Sequence, residues 1–223
     1  MSEEAFPILL SLRTAVLALL IVAPPGLALA WIQARTTYRL KGLVDAAVLL
    51  PLVLPPSVVG YFLVVTLGRQ GPIGGLLERA FDMRLVFTPT AAVIAAAVVA
   101  LPLVVKTAQP AIEAVPRELE HVGRSLGLSP ARVFLRVTLP SAWRGIVAAL
   151  VLGFARGLGE FGATLMFAGH IPGETNTMPL ELYVAYQAGD DRLALLYVVV
   201  LTAASLLVVL AAGRLAPRSG GLR

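Results

Sequence analysis

The sequence predicts an all-α integral membrane protein with five transmembrane helices, and two observations support this prediction. Hydrophobic residues make up 58% of the 223 residues and charged residues only 14%, whereas soluble domains contain about 25% charged residues. Five apolar stretches are long enough to cross a bilayer, which takes about 20 helical residues. The chain has no cysteine, which excludes disulfides and thiolate metal sites. We expect a single transmembrane domain over residues 1–223.

The first predicted span covers about residues 8–31. Residues 28–30, Ala-Leu-Ala, resemble a signal-peptide cleavage site. A signal peptide has a basic leader, however, and two glutamates precede this stretch, which is also long enough to span. We therefore expect a retained helix, and Pro24-Pro25 predicts an interruption in it.

The second and third predicted spans cover about residues 43–67 and 91–108. The second contains Pro51 and Pro55-Pro56, and prolines free backbone carbonyls that lipid cannot satisfy. This span is therefore expected to pack inside a helix bundle. The loop between the two spans contains a short amphipathic stretch around residues 76–81.

A charged segment at residues 113–140 interrupts the apolar pattern. Four apolar residues recur in it at helical spacing, with polar residues elsewhere around the axis: Val115, Leu119, Val122 and Leu126. Pro116 suits the first helical position and Gly127 the left-handed residue after the last turn. The predicted helix is too short and too polar to span, so it must lie against a partner or against the lipid surface. A second short helix is expected to end at Leu139-Pro140.

The fourth span is predicted at about residues 143–168 and the fifth at about 193–212. The fourth is rich in glycine, and Gly153-x-x-x-Gly157 predicts a surface for close helix packing. Between the two spans, residues 179–187 are expected to form a helix that is too short to cross the membrane.

The distribution of Lys and Arg over this five-span map predicts the orientation. One side collects twelve of the eighteen: Arg35, Arg39, Lys41, Lys106, Arg117, Arg124, Arg132, Arg136, Arg144, Arg214, Arg218 and Arg223. The other side has four, Arg69, Arg79, Arg84 and Arg192, and Arg13 and Arg156 lie in spans. The positive-inside rule places the N-terminus outside the cell, and the C-terminus and the segment 113–140 in the cytoplasm. This asymmetry accounts for the net charge of +5 without a nucleic-acid partner.

Arg156 and Glu160 are opposite charges four residues apart in one predicted span, so they share a helix face. Charges at the bilayer centre are costly, and this pair is expected to face the bundle interior. Two interpretations remain open. The pair could contact a transported anion or hold a gate shut, or it could be a structural ion pair that fixes helix packing.

A polar group at the end of the fourth span and in the loop after it offers hydroxyl, amide and backbone N–H donors suited to an oxyanion: Thr164, Gly169, His170, Gly173, Thr175, Asn176 and Thr177. These residues could equally be ordinary loop residues. Neither His121 nor His170 has a metal-ligand or nucleophile partner at useful spacing, so we expect no catalytic residue and no metal site.

The segment 113–140 resembles the EAA loop of permease subunits in binding-protein-dependent ABC importers: a glutamate, small residues and a glycine, followed by Leu139-Pro140. Residues 153–164 and 169–179 resemble the molybdate permeases of that superfamily, with sulfate permeases as the next most similar. The chain departs from the pattern at three positions. Val122 and Gly123 stand where alanine is usual, and His170 stands where asparagine is usual.

The resemblance implies a type I ABC importer permease fold and a cytoplasmic coupling helix that docks on a separate ATPase. The docking residues would be Arg117, Glu118, Leu119, Glu120, Val122, Gly123, Arg124, Leu126 and Gly127, and the candidates for a translocation pathway or gate Arg156, Glu160, Thr164, Gly169 and His170. The chain has no Gly-x-x-x-x-Gly-Lys-Ser/Thr phosphate loop. We therefore expect ATP and Mg²⁺ on the partner and no cofactor on this chain.

The implied assembly is a homodimer in the lipid of a bacterial inner membrane, with ATPase subunits and a periplasmic molybdate-binding protein, working by alternating access. Sulfate, thiosulfate and tungstate remain alternative substrates, because these oxyanions share shape and charge. An ATPase-independent secondary transporter is a further alternative. It would predict inverted repeats and mid-membrane carboxylates, and the sequence has no internal repeat. An intramembrane enzyme would need a nucleophile and a base at a plausible spacing.

Overall fold

The computed structural model describes residues 4–215, and every regular element in this part of the chain is a helix. The helices are α1 Ala5–Arg35, α2 Lys41–Val53, α3 Pro56–Leu67, α4 Gly74–Phe81, α5 Pro89–Glu113, α6 Arg117–Ser125, α7 Pro130–Val133, a π-helical turn Phe134–Thr138, α8 Leu139–Ser141, α9 Trp143–Leu158, α10 Gly162–Phe167, α11 Met178–Ala188 and α12 Asp191–Leu215. The predicted all-α fold is confirmed. Arg218 and Arg223, which the orientation argument used, lie outside the described residues.

Three helices are each long and apolar enough to cross a membrane alone: α1, α5 and α12. Two further candidates are sharply bent pairs. Helices α2 and α3 meet at 111°, and the helical stretch from Pro130 to Ser141 meets α9 at 86°. The described part of the chain therefore has five spans if each bent pair crosses the membrane as one unit.

The prolines act differently from the prediction. Helix α1 continues through Pro24 and Pro25 without a break, so the expected interruption there is wrong. In this region α1 packs closely on α5, where a Cβ added to Gly26 would meet Val104 Cγ1 at 3.0 Å. The predicted second span is instead broken at Leu54-Pro55, because Pro56 starts a new helix in a different direction.

The fourth predicted span is also interrupted. Helix α9 ends at Leu158 after 16 residues, a length of about 24 Å, and α10 begins at Gly162. Helix α5, by contrast, extends five residues beyond the predicted boundary at Ala108 and ends at Glu113. Thr88 caps its start, where the hydroxyl accepts a hydrogen bond from the N–H of Ala91 at 3.2 Å.

Small residues let α1, α5 and α9 pack closely at the centre of the molecule. The predicted packing role of Gly153 and Gly157 is confirmed. An added Cβ at Gly153 would lie 2.5 Å from Val104 Cγ2, and one at Gly157 would lie 3.7 Å from Ala96 Cβ on α5. The buried face of α5 is largely alanine, which keeps the three backbones close.

The broken halves of the second and fourth spans pack on each other. A Cβ added to Gly60 on α3 would lie 2.7 Å from Met166 Cβ and 2.9 Å from Ala163 Cα on α10, and one added to Gly162 would lie 2.8 Å from Pro56 Cβ. This contact leaves little space for larger side chains. It accounts for the position of α10 after the break in the fourth span.

The loops separate to two ends of the bundle. The start of α1 meets the start of α11 at one end, where Ser11 Oγ accepts a hydrogen bond of 2.7 Å from the N–H of Met178. The last residue of α1, Arg35, contacts the segment 113–140 at the other end. The segment that resembles an EAA loop and the loop at residues 169–177 therefore lie at opposite ends of the molecule.

Candidate functional site

Helix α6 presents an apolar surface to its surroundings. Leu119, Val122 and Leu126 are 47%, 59% and 78% exposed, and they follow one another at helical spacing along one side. Such a contiguous exposed apolar surface on a short charged helix is typical of an interaction site. We call these three residues the apolar face of α6. Charged side chains that are also exposed surround it: Arg117, Glu118, His121 and Arg124.

The opposite side of α6 is buried against the protein. The Glu120 side chain is 2% exposed, and its Oε1 lies 2.9 Å from Nε of Arg35, whose side chain is 7% exposed. The hydroxyl of Thr138 donates to the same Oε1 at 2.7 Å. Arg124 is a more distant partner, with Nη2 at 3.8 Å from Oε2. A buried carboxylate needs such partners, because burial of an unpaired charge is very unfavourable.

Glu120 and Gly123 therefore differ from the docking role expected for them. Both are buried, because the α6 backbone lies directly on the following helix. A Cβ added to Gly123 would lie 3.3 Å from Val133 Cγ2 and 3.5 Å from Val137 Cγ2. Neither residue is accessible to a docking partner in this arrangement.

The end of α6 is fixed by a Schellman motif, in which the N–H groups after the helix bond to its last carbonyls. The N–H of Gly127 donates to the carbonyl of Arg124 at 2.9 Å, and that of Leu128 to the carbonyl of Gly123 at 3.1 Å. Gly127 has φ of +82°, as its sequence position predicted. The helix begins one residue later than predicted, at Arg117, so Pro116 precedes the first helical residue instead of occupying that position. Leu126, which is held at this turn, consequently projects from the helix end.

Arg156 and Glu160 form the predicted ion pair, with Nη1 of Arg156 at 2.7 Å from Oε2 of Glu160. Glu160 lies in the break after α9 rather than within a continuous helix. Its other oxygen accepts a hydrogen bond of 2.7 Å from the N–H of Ala163 in the first turn of α10. Glu160 therefore joins the end of α9 to the start of α10, and this geometry favours the structural interpretation of the pair.

Most polar side chains of the loop at residues 169–177 are paired within the protein. Thr175 Oγ1 donates to the carbonyl of Gly169 and accepts from the N–H of Ile171, both at 2.9 Å. Nε2 of His170 and Nδ2 of Asn176 both contact Oε2 of Glu181, at 2.8 and 3.0 Å. These donors are therefore already paired, which favours the interpretation of ordinary loop residues, whereas the buried hydroxyl of Thr177 has no partner among the described residues.

The other pathway candidates lie around α10. Thr164 is buried within that helix, and its carbonyl accepts hydrogen bonds from the N–H groups of Ala168 and Gly169. Gly169 has φ of +67°, and a Cβ there would lie 2.9 Å from the ring of Phe87. Thr164 and Gly169 thus hold the end of α10, whereas Glu160 holds its start.

A polar cluster that was not predicted joins three helices at the end of the bundle that contains α6. Lys106 on α5 pairs with Asp45 on α2, and the buried Gln33 on α1 donates to the same Asp45 Oδ1 at 3.0 Å. Tyr38 donates to Gln33 Oε1 at 2.6 Å. Asp45, the lone acidic residue in the predicted second span, was the sequence signal for this cluster, because a charge in an apolar helix requires a partner.

Within residues 4–215 no group of three or more His, Asp or Glu side chains is placed to hold a metal ion.

A family model described as "Binding-protein-dependent transport system inner membrane component" matches residues 26–220. The chain is 47% identical over 180 residues to the molybdenum transport system permease protein ModB of Escherichia coli strain K12, which covers 81% of this chain and 79% of that protein. It is 43% identical over 209 residues to the ModB protein of Haemophilus influenzae, covering 92% and 91%.

Solved structures show the same fold. A chain of the MetNI methionine ABC transporter superposes with a TM-score of 0.67 at 17% identity, covering 93% of this chain and 92% of that one. A chain of a bacterial ABC transporter that imports the acidic polysaccharide alginate gives 0.72 at 16% identity, covering 98% and 81%. At these identities the likeness concerns the fold alone. The predicted type I ABC importer permease fold is confirmed.

Proposed function

Because the chain belongs to the family of binding-protein-dependent transport system inner membrane components, we propose that it is the transmembrane subunit of an ABC importer for molybdate. The observation that carries this proposal is the 47% identity to a molybdenum permease over four fifths of the chain. The protein is a multi-pass protein of the inner membrane, with the apolar helices that such a location requires. Its lipid-facing surface includes most of α12, which is apolar and little buried.

The energy for transport comes from a separate ATPase subunit, which docks on the apolar face of α6. Leu119, Val122 and Leu126 fill a groove on that subunit, as a helix does when it binds through residues at helical spacing. Arg117, Glu118 and Arg124 are exposed around this face and contribute charge complementarity to the docking. ATP and Mg²⁺ are bound by the partner.

The orientation places α6 in the cytoplasm and the start of α1 outside, following the distribution of Lys and Arg. The loop at residues 169–177 then lies on the periplasmic side, where a molybdate-binding protein delivers the substrate. Two copies of the chain form the pathway between them. Closure of the ATPase pair on ATP moves the two α6 helices, and rigid-body motion of the spans opens the pathway to the outside.

The experiment that tests this function is molybdate uptake into proteoliposomes. Vesicles contain the chain with its ATPase, ATP is supplied on the ATPase side, and the binding protein is loaded with molybdate on the other side. We expect uptake that needs ATP, the ATPase and the binding protein together. Matched vesicles without the ATPase are the control, and uptake in these vesicles would establish a secondary transporter instead.

Competition in the same vesicles identifies the substrate. Excess tungstate, sulfate or thiosulfate is added against labelled molybdate, each with the binding protein present. We expect molybdate uptake to persist in excess sulfate and thiosulfate. Uptake of sulfate in preference to molybdate would contradict the substrate assignment while leaving the ABC importer assignment intact.

A further inference from the structure

We propose that the buried ion pair between Arg35 and Glu120 is a mechanical link that transmits ATPase movement from α6 to the transmembrane helix α1. This inference rests on the proposed function, in which the ATPase docks on the exposed side of α6. It assigns Glu120 a positioning role inside the protein, in place of contact with the partner.

Arg35 lies where the end of α1 meets the loop that contains α6. It is the last residue of α1, and its guanidinium group holds two points of the loop that contains α6. Nε contacts Glu120 Oε1 at 2.9 Å, and Nη2 donates to the carbonyl of Val115 at 2.8 Å. These contacts bracket the start of α6 across 85 and 80 residues of sequence. The planar guanidinium fixes both distances together, which a lysine could do less well.

The ion pair between Arg35 and Glu120 is buried. Both side chains are almost fully excluded from water, where an ion pair is weakly screened and separation of the charges is strongly unfavourable. The distance between the guanidinium and the carboxylate therefore stays nearly constant when α6 moves. Movement of α6 must therefore displace the end of α1 or break a buried ion pair.

Helix α6 has few contacts outside its own loop. Helix α6 packs mainly on α7 and on the π-helical turn, both of which belong to its own loop. That turn is joined to the same carboxylate through Thr138, and its Phe134 ring packs on Trp31 of α1 with centroids 5.3 Å apart. Trp31 and Arg35 are one turn apart on α1. Besides its chain connection to α5 at Glu113 and the packing of Val115 and Phe134 in the apolar core, the loop is thus held to the last turns of α1.

Helix α1 belongs to the closely packed centre of the bundle. Helix α1 packs along α5, which in turn packs along α9, and glycines and alanines keep these backbones in close contact. Close-packed helices shift as rigid bodies rather than deform. A displacement at Arg35 therefore passes to the three central helices, α1, α5 and α9.

The test compares transport with ATP hydrolysis in the purified complex of chain and ATPase. Glu120→Gln keeps the size of the side chain and its contact with Thr138 but removes the charge that pairs with Arg35. We expect molybdate transported per ATP hydrolysed to fall about tenfold, while the ATPase stays bound and active. Glu113→Gln is the matched control. Glu113 is an exposed carboxylate at the start of the same loop, and its side chain hydrogen-bonds only to Gln109 among the described residues. The ratio of molybdate transported to ATP hydrolysed in this variant should equal that of the unmodified complex.

A merely structural role would lower the yield of folded complex and leave the ratio unchanged. A ratio for Glu120→Gln within twofold of the unmodified complex would overturn the proposal. If that variant gives no intact complex, Thr138→Val decides, because it removes one hydrogen bond to the carboxylate at nearly constant volume. The ratio should then fall about threefold, and an unchanged ratio would overturn the link. Failure of the unmodified complex to transport molybdate would instead refute the proposed function.

Discussion

Truncation of Leu126 should weaken binding of the ATPase by a predictable amount. The change Leu126→Ala removes three carbons, each worth about 0.8 kcal/mol when buried. Since the side chain is 78% exposed in the free chain, most of this free energy is gained only on docking. The expected loss is about 2 kcal/mol per site, or about a thirtyfold increase in Kd.

The assay is titration of labelled ATPase subunit onto the chain in lipid nanodiscs. Leu207→Ala is the matched control, because Leu207 is 69% exposed but lies on the membrane-spanning helix α12. It should leave Kd unchanged. If Leu126→Ala binds the ATPase as tightly as the unmodified chain, the apolar face of α6 is not the docking surface. A loss of affinity for lipid vesicles instead would establish the lipid-surface alternative.

Three further substitutions test the packing of the bundle. Gly60→Ala should lower the free energy of unfolding by about 1–3 kcal/mol, because the added Cβ meets α10. The measurement is thermal unfolding in detergent, and the control is Gly42→Ala, where an added Cβ has nothing within 4 Å and should not lower this free energy. Equal effects of the two substitutions would contradict the contact. Glu160→Gln should lower the free energy of unfolding by about 2 kcal/mol, since it leaves Arg156 unpaired, and molybdate uptake per folded complex should stay unchanged. Normal stability with an altered KM for molybdate would instead favour an anion gate. Asp45→Asn should speed deuterium exchange in α2, because Asp45 joins that helix to α1 and α5, and unchanged exchange would show that other contacts hold α2.

The fold class and the position of α6 could be predicted because they depend on local patterns. Apolar stretches of sufficient length predict spans, and Gly127 at the end of a two-faced segment predicts a left-handed residue there. The spacing of Arg156 and Glu160 likewise predicts their contact. Each of these features depends on residues close together in the sequence.

The buried side of α6 could not be predicted in this way. The helical pattern places Glu120 among polar residues, and nothing nearby indicates that its partner is Arg35, 85 residues earlier. Proline effects also depend on packing: Pro24 and Pro25 lie within an intact helix, whereas Pro55 and Pro56 separate two helices. The same residue type thus gives opposite results according to what surrounds it.

The most direct test of ATPase docking is site-specific cross-linking from the end of α6. The chain has no native cysteine, so Leu126→Cys provides a single attachment point for a photoreactive maleimide. In inner-membrane vesicles that contain the complex, this probe should cross-link to the ATPase subunit, and a probe at Leu207→Cys should not. Labelling of Leu126→Cys only from the periplasmic side, or cross-linking to lipid with no ATPase product, would contradict the proposed docking.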